Sequence, residues 1–175
     1  MDQLQQNHFA LFHLPIQFEI DIALLNKQYR ALQSEVHPDR FASATSNERM
    51  KSMQLATQAN EAYQTLKDDT ARARYLLQLE GIETLEESNT AMPANFLMLQ
   101  MEWREAIEEA TLNQDISSLD ALLIEIKKTA YALTQEIAEA FKSKNLTSAA
   151  EIVRKLSFID KITADIHRNI ESLEI

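Results

Sequence analysis

The sequence predicts an all-α fold, and three observations carry that prediction. A single glycine and three prolines in 175 residues leave few places to break a helix. Apolar residues recur at helical spacing over long stretches, while the alternation of a half-buried strand is absent. The 45% apolar content is enough to build a core for one domain of ordinary size or two small ones. The expected architecture is a helical hairpin with short flanking helices over residues 1–79, a linker over 80–92, and a three-helix bundle over 93–175.

The first long helix is expected from Asp21 to Val36, because Leu25, Tyr29, Leu32 and Val36 share one helical face and Asp21 can cap the start. Pro38 biases the residue before it away from helical geometry, so this helix should end near His37. The next helical pattern opens at Thr45-Ser46-Asn47-Glu48, a capping box in which the Thr45 hydroxyl and the Glu48 carboxylate satisfy each other's backbone amides. An exposed polar loop carrying His37-Pro38-Asp39 is expected between the two.

Gly81 follows the apolar run Tyr75-Leu76-Leu77-Gln78-Leu79, and helical period is lost from there to Pro93, which marks a module boundary. Three further helices are expected at about Ala94 to Thr111, Ser118 to Lys144 and Ser148 to Leu173. The second aligns Leu119, Leu122, Ile126, Leu133, Ile137 and Phe141. The third aligns Ile152, Leu156, Ile159, Ile166, Ile170 and Leu173. Both stripes read as seams of an antiparallel hairpin, joined by a short turn at Asn145-Leu146-Thr147, with Ser148 and Glu151 as a second capping box.

One helix carries more apolar surface than a seam requires. Phe96, Leu99, Trp103, Ala106, Ile107 and Ala110 cluster on one face, enough to dock it. Leu97, Met98 and Met101 fall on the opposite side among Glu102, Arg104, Glu105 and Glu108. Phe158 lies roughly 120° off its own helix's stripe. Apolar side chains ringed by charge, adaptable methionines among them, suit a protein-binding patch. Internal packing in a wide-faced bundle is the competing place for Met98 and Phe158.

Composition excludes several functions. With no cysteine there is neither a disulfide nor a thiolate metal ligand, so the chain is not expected to hold an iron–sulfur cluster itself; separately, no cofactor is expected. The four histidines, 8, 13, 37 and 167, lack ligand spacing with nearby carboxylates, and His8, His13 and His167 read as structural or surface groups. A net charge of −10 argues against nonspecific nucleic-acid binding. The N-terminal 79 residues are nearly neutral, with 8 basic and 9 acidic side chains. Glu80, Glu83, Glu86 and Glu87 make the linker acidic. No stretch approaches the length of a membrane helix, and the first residues resemble no signal or transit peptide, so a bacterial cytoplasmic location is expected. His37 as a general base oriented by Asp39 is a weak enzymatic reading, since no nucleophile or oxyanion donor accompanies the pair.

Helix, His-Pro-Asp loop and helix together resemble the J domain of the DnaJ co-chaperones. Arg40-Phe41 follows the tripeptide, and Ala59-Asn60-Glu61-Ala62-Tyr63-Gln64-Thr65-Leu66 is similar to that family's AxxAYxxL core stripe. His8 to Leu14, with Phe9, Leu11, Phe12 and Leu14, looks like the short opening segment that packs against its hairpin. With the rest of the chain included, the resemblance sharpens to the HscB family, J-domain co-chaperones of iron–sulfur cluster assembly, and it covers essentially the whole sequence.

The resemblance implies a non-enzymatic monomer with two partners. His37, Pro38, Asp39 and Arg40, with the basic strip of Lys27 and Arg30 that Ser34 extends, would dock on an HscA-type ATPase chaperone. Leu97, Met98, Met101, Glu102, Arg104, Glu105 and Phe158 would contact an IscU-type iron–sulfur scaffold protein, delivering it to that chaperone for cluster transfer and maturation of iron–sulfur proteins. Family members more usually have leucine at the third apolar position, where this chain has Met101 of nearly equal volume. Two alternatives are a J-domain protein serving a different client and a structural helical protein that self-associates through the Leu97/Met98/Met101 patch.

Overall fold

Asp21 opens the first long helix as expected. Its carboxylate accepts the Leu24 amide at 3.0 Å, and the helix runs Ile22–Glu35 before Val36 caps it. The computed structural model describes residues 3–84 and 92–174, and all its regular elements there are helical. We number the α-helices α1 (His8–Leu11), α2 (Ile22–Glu35), α3 (Ser46–Lys67), α4 (Asp69–Leu79), α5 (Ala94–Leu112), α6 (Ile116–Lys142) and α7 (Leu146–Leu173). They fall into two compact units, Met1–Glu80 and Gly81–Ile175. Most of the expected linker, residues 85–91 with Glu86 and Glu87, lies outside the described residues.

In the N-terminal unit, α2 and α3 form a hairpin whose core is closed by α1. Phe9, Phe12, Leu25, Ala59, Ala62 and Leu66 are fully buried, so both the opening segment and the alanine-rich stripe face inward. Aromatic stacking clips the hairpin: the Tyr29 and Tyr63 rings lie parallel at 4.0 Å, Tyr63 donates its hydroxyl hydrogen to Asn26, and Tyr29 bonds Asn60. The turn into α4 is held by Arg72, a buried cation. It donates to the Phe18 carbonyl at 2.6 Å, to the Leu66 carbonyl at 2.7 Å and to the Asp69 carboxylate at 2.6 Å. Glu80 caps α4 and ends the unit, and Gly81 follows it at φ 76°, the left-handed geometry that glycine adopts without a Cβ penalty.

In the C-terminal unit, α6 and α7 pack as an antiparallel hairpin, with Leu119, Ile126, Ile137, Val153 and Ile166 fully buried. Phe141, Ile170 and Leu173, at the ends of the expected stripes, are half-buried. α5 docks through Phe96 and Trp103, and the indole N–H donates to Glu125 at 3.2 Å. Three expectations need correction here. α6 and α7 start two residues earlier than the sequence suggested. Ser148 is the third residue of α7, not its cap; Asn145 caps the helix by accepting the Ser148 amide at 3.2 Å, so there is no capping box with Glu151, which pairs with Lys155 instead. The turn is therefore Ser143-Lys144-Asn145. Ala106, expected on the docking face of α5, is exposed, because that face is centred on Phe96, Trp103 and Ala110 with Leu99 and Ile107 half-buried at its edges.

Candidate functional site

The loop after α2 is organised by its own sequence. Pro38 sits at the first position of a 3-10 turn, Pro38–Phe41, so the segment expected as irregular loop has one defined turn. His37 caps it: its Nδ1 accepts the Asp39 amide hydrogen at 3.3 Å, and its carbonyl accepts the Arg40 amide at 3.0 Å. With Nδ1 accepting, the neutral ring carries its proton on Nε2. A protonated ring would instead face the Asp39 carboxylate, whose Oδ2 lies 3.6 Å from Nδ1. Both side chains are largely exposed, as are Lys27, Arg30, Ser34 and Arg40.

Sequence reasoning missed Ser52, which positions this loop, and Asn60, which borders it. Ser52, buried on α3, donates its hydroxyl hydrogen to the Val36 carbonyl at 2.9 Å and so pins the end of α2 one residue before His37. Asn60, together with Gln33, Ser34, His37, Pro38 and Ala56, lines a shallow groove beside the loop. A lone serine among the apolar positions of a helix was the only signal for Ser52, and serine is as common on exposed faces.

The second group of expected site residues lies on α5 and α7. Leu97, Met98 and Met101 are 43%, 63% and 62% exposed, so none of the three is core. Glu102, Arg104 and Glu105 are exposed beside them. Phe158 is half-buried: its ring meets Phe96 edge-on at 6.0 Å, while the Arg104 guanidinium lies 5.5 Å over it. Arg104 shares a helical stripe with Leu97 and Met101, seven and three residues before it, which brings Phe158 to the border of the exposed patch. Beyond it the surface continues as a groove between α5 and α7 lined by Ile107, Glu108, Lys161 and Ile162. Among the described residues no group of three or more His, Asp or Glu side chains could hold a metal ion.

A helical hairpin holding an exposed His-Pro-Asp turn, in a chain whose second unit is a three-helix bundle, defines the class: a J domain joined to a helical C-terminal domain. The family profile described as HSCB C-terminal oligomerisation domain matches residues 92–167. The co-chaperone protein HscB homolog of Burkholderia thailandensis is 48% identical over 174 residues, 99% of both chains. Among solved structures, the chaperone HscB from Vibrio cholerae is 40% identical with a TM-score of 0.84, covering 96% of this chain and 99% of that one. The human co-chaperone protein HscB is 30% identical with a TM-score of 0.88, covering 94% of this chain and 82% of that one.

The chain belongs to the HscB co-chaperone family. Its relatives are named co-chaperones rather than enzymes, in keeping with the non-enzymatic role expected from the sequence.

Proposed function

We propose that this co-chaperone stimulates the ATPase of an HscA-type chaperone through its N-terminal unit and presents an IscU-type iron–sulfur scaffold protein through its C-terminal unit. The observation that carries the reading is the presence of two exposed, chemically distinct surfaces in separate units. One is an exposed His-Pro-Asp turn beside Lys27, Arg30 and Arg40; the other is an apolar patch of Leu97, Met98 and Met101 bordered by Glu102, Arg104, Glu105 and Phe158. The first suits an acidic surface, because exposed cations steer encounter and fix register. The second suits a protein contact whose centre loses water. The chain supplies no chemistry to ATP. It acts by binding one conformation of the ATPase better than the other, which is the limit of what a regulator can do. In this reading the chain is a monomer that needs no cofactor, binds neither nucleic acid nor membrane, and works in the bacterial cytoplasm. No helix among the described residues is long and apolar enough to cross a membrane.

The test is the steady-state ATPase rate of a purified HscA-type chaperone with the chain alone, the scaffold alone and both. Stimulation by the chain, raised further by the scaffold, is expected. Stimulation that the scaffold leaves unchanged would point to a different client. A second reading is favoured by the description of the matching family profile as an oligomerisation domain: the same apolar patch joins copies of this chain. Sedimentation showing a concentration-dependent dimer that patch substitutions abolish would support it.

A further inference from the structure

With no cysteine, the only sulfur atoms on this chain are the thioethers of its six methionines. Met98 and Met101 are 63% and 62% exposed, and Met50 and Met53 on α3 are 53% and 69% exposed. Met92 is half-buried, and Met1 lies outside the described residues. The exposed four thus form two pairs at i, i+3, one pair on a helix of each unit. Packing does not require methionine at an exposed position, since leucine would present nearly the same volume to a partner. Methionine alone adds reactivity, because an accessible thioether is oxidised by peroxide to a sulfoxide, a lesion that sulfoxide reductases reverse.

We propose that Met98 and Met101 form a reversible oxidation site through which peroxide disconnects the C-terminal unit from its scaffold partner, an inference that rests on the scaffold-binding reading above. The thioether sulfur attacks one oxygen of hydrogen peroxide and the O–O bond breaks. A sulfur–oxygen bond forms, the departing hydroxide takes the remaining proton as water, and sulfur is oxidised as peroxide is reduced. The apolar contact then holds a strong, unpaired acceptor that must be stripped of water on binding. Leu97, between the docking face and the two methionines, cannot respond. A dithiol-dependent sulfoxide reductase reverses the step, returning the thioether and water as its own dithiol becomes a disulfide.

The test uses the full chain treated with graded hydrogen peroxide, then freed of peroxide before any partner is added. Peptide mass mapping gives sulfoxide at each methionine, and calorimetric titration with a purified IscU-type scaffold gives the affinity. Sulfoxide at Met98 and Met101 is expected ahead of Met92, with affinity falling on the order of tenfold for each oxidised methionine and returning after sulfoxide reductase treatment. The Met98→Leu, Met101→Leu protein, whatever its starting affinity, should bind equally before and after peroxide, and the Met50→Leu, Met53→Leu protein should lose affinity as the parent does. Unchanged affinity with Met98 and Met101 fully oxidised would overturn the proposal, as would equal loss in the Met98→Leu, Met101→Leu protein. Absence of binding by the untreated chain would instead bring down the scaffold reading and the switch with it, a result the titration gives before any oxidant is used.

Discussion

His37 holds its turn with atoms that glutamine reproduces only in part. Its Nδ1 accepts the Asp39 amide, and the outer edge of the ring stands in solvent. We expect His37→Gln to leave the helical fold intact, within about 0.5 kcal/mol, because exposed substitutions seldom cost more. It should also remove stimulation of the partner ATPase. Circular dichroism melts and an ATPase assay check the two halves, and full stimulation by the folded variant would take His37 out of the mechanism. His8 is the opposite kind of histidine. It stacks on Tyr75 at 4.2 Å and is half-buried, and desolvation lowers its pKa below the ordinary value while Glu61 pulls weakly the other way. Well above the ordinary histidine value of about 6.5 both folded and unfolded states hold it neutral, so it contributes no pH dependence there. As pH falls further, the unfolded chain takes up the proton first and stability is lost until the folded value is reached. His8→Phe keeps a ring on Tyr75 and removes the titration. Its melting temperature should therefore fall less than the parent's between about pH 7 and pH 5.

At the scale of elements, a recurring turn explains both what the sequence revealed and where it misled. α5 and α6 join through Asn113-Gln114-Asp115, and α6 and α7 through Ser143-Lys144-Asn145. In each, the middle residue is left-handed, with φ 54° for Gln114 and 55° for Lys144. The third residue's amide reaches back to close the finished helix, Asp115 to the Ala110 carbonyl and Asn145 to the Ala140 carbonyl, both at 2.8 Å. The same residue's side chain then caps the next helix. Glycine is the usual mark of such a C-terminal closure, and its absence hid these turns, so the serine three places past each cap looked like the start. The helical stripes were legible because burial imposes the period; the ends were not, because they depend on one unusual φ. Glycine would relieve the strain, so Lys144→Gly should stabilise the unit by about 1 kcal/mol, read as a higher melting temperature. α2 was legible for the further reason that Asp21 and Pro38 bracket it. Its exposed face carries Lys27 and Arg30, and Lys27→Ala with Arg30→Ala is expected to slow association with the ATPase chaperone and flatten its salt dependence more than it speeds dissociation. Stopped-flow measurements at low and high salt distinguish the two, and an unaltered salt slope would mean that these cations only solvate the helix.

For the molecule as a whole, each unit carries its own buried core, Phe9, Phe12, Leu25 and Leu66 in one and Trp103, Ile126, Ile137 and Ile166 in the other. Damage to one surface therefore need not unfold the other unit, and the two partner functions should separate in mutants. The exposed patch was legible in outline because Leu97, Met98 and Met101 oppose the docking face. The standing of Phe158 was not, since edge contact with Phe96 and cover by Arg104 are tertiary facts that no periodicity encodes. Truncating Leu97, Met98 and Met101 together to alanine should leave the melting temperature near the parent's, because none of them is core. The same change should cost scaffold binding on the order of 1 kcal/mol or more per side chain, with sums unreliable since such effects do not add. Phe158→Ala should differ from them by losing stability as well as binding, about 1–2 kcal/mol for a half-buried ring. Calorimetric titration of the 93–175 fragment and of the full chain with scaffold, beside thermal melts of each variant, separates the outcomes. Undiminished binding by the triple-alanine protein would clear the patch of any role, and a collapse of its melting temperature would mean that these side chains support the bundle. Equal binding by fragment and full chain would show that scaffold recognition needs nothing from the His-Pro-Asp unit.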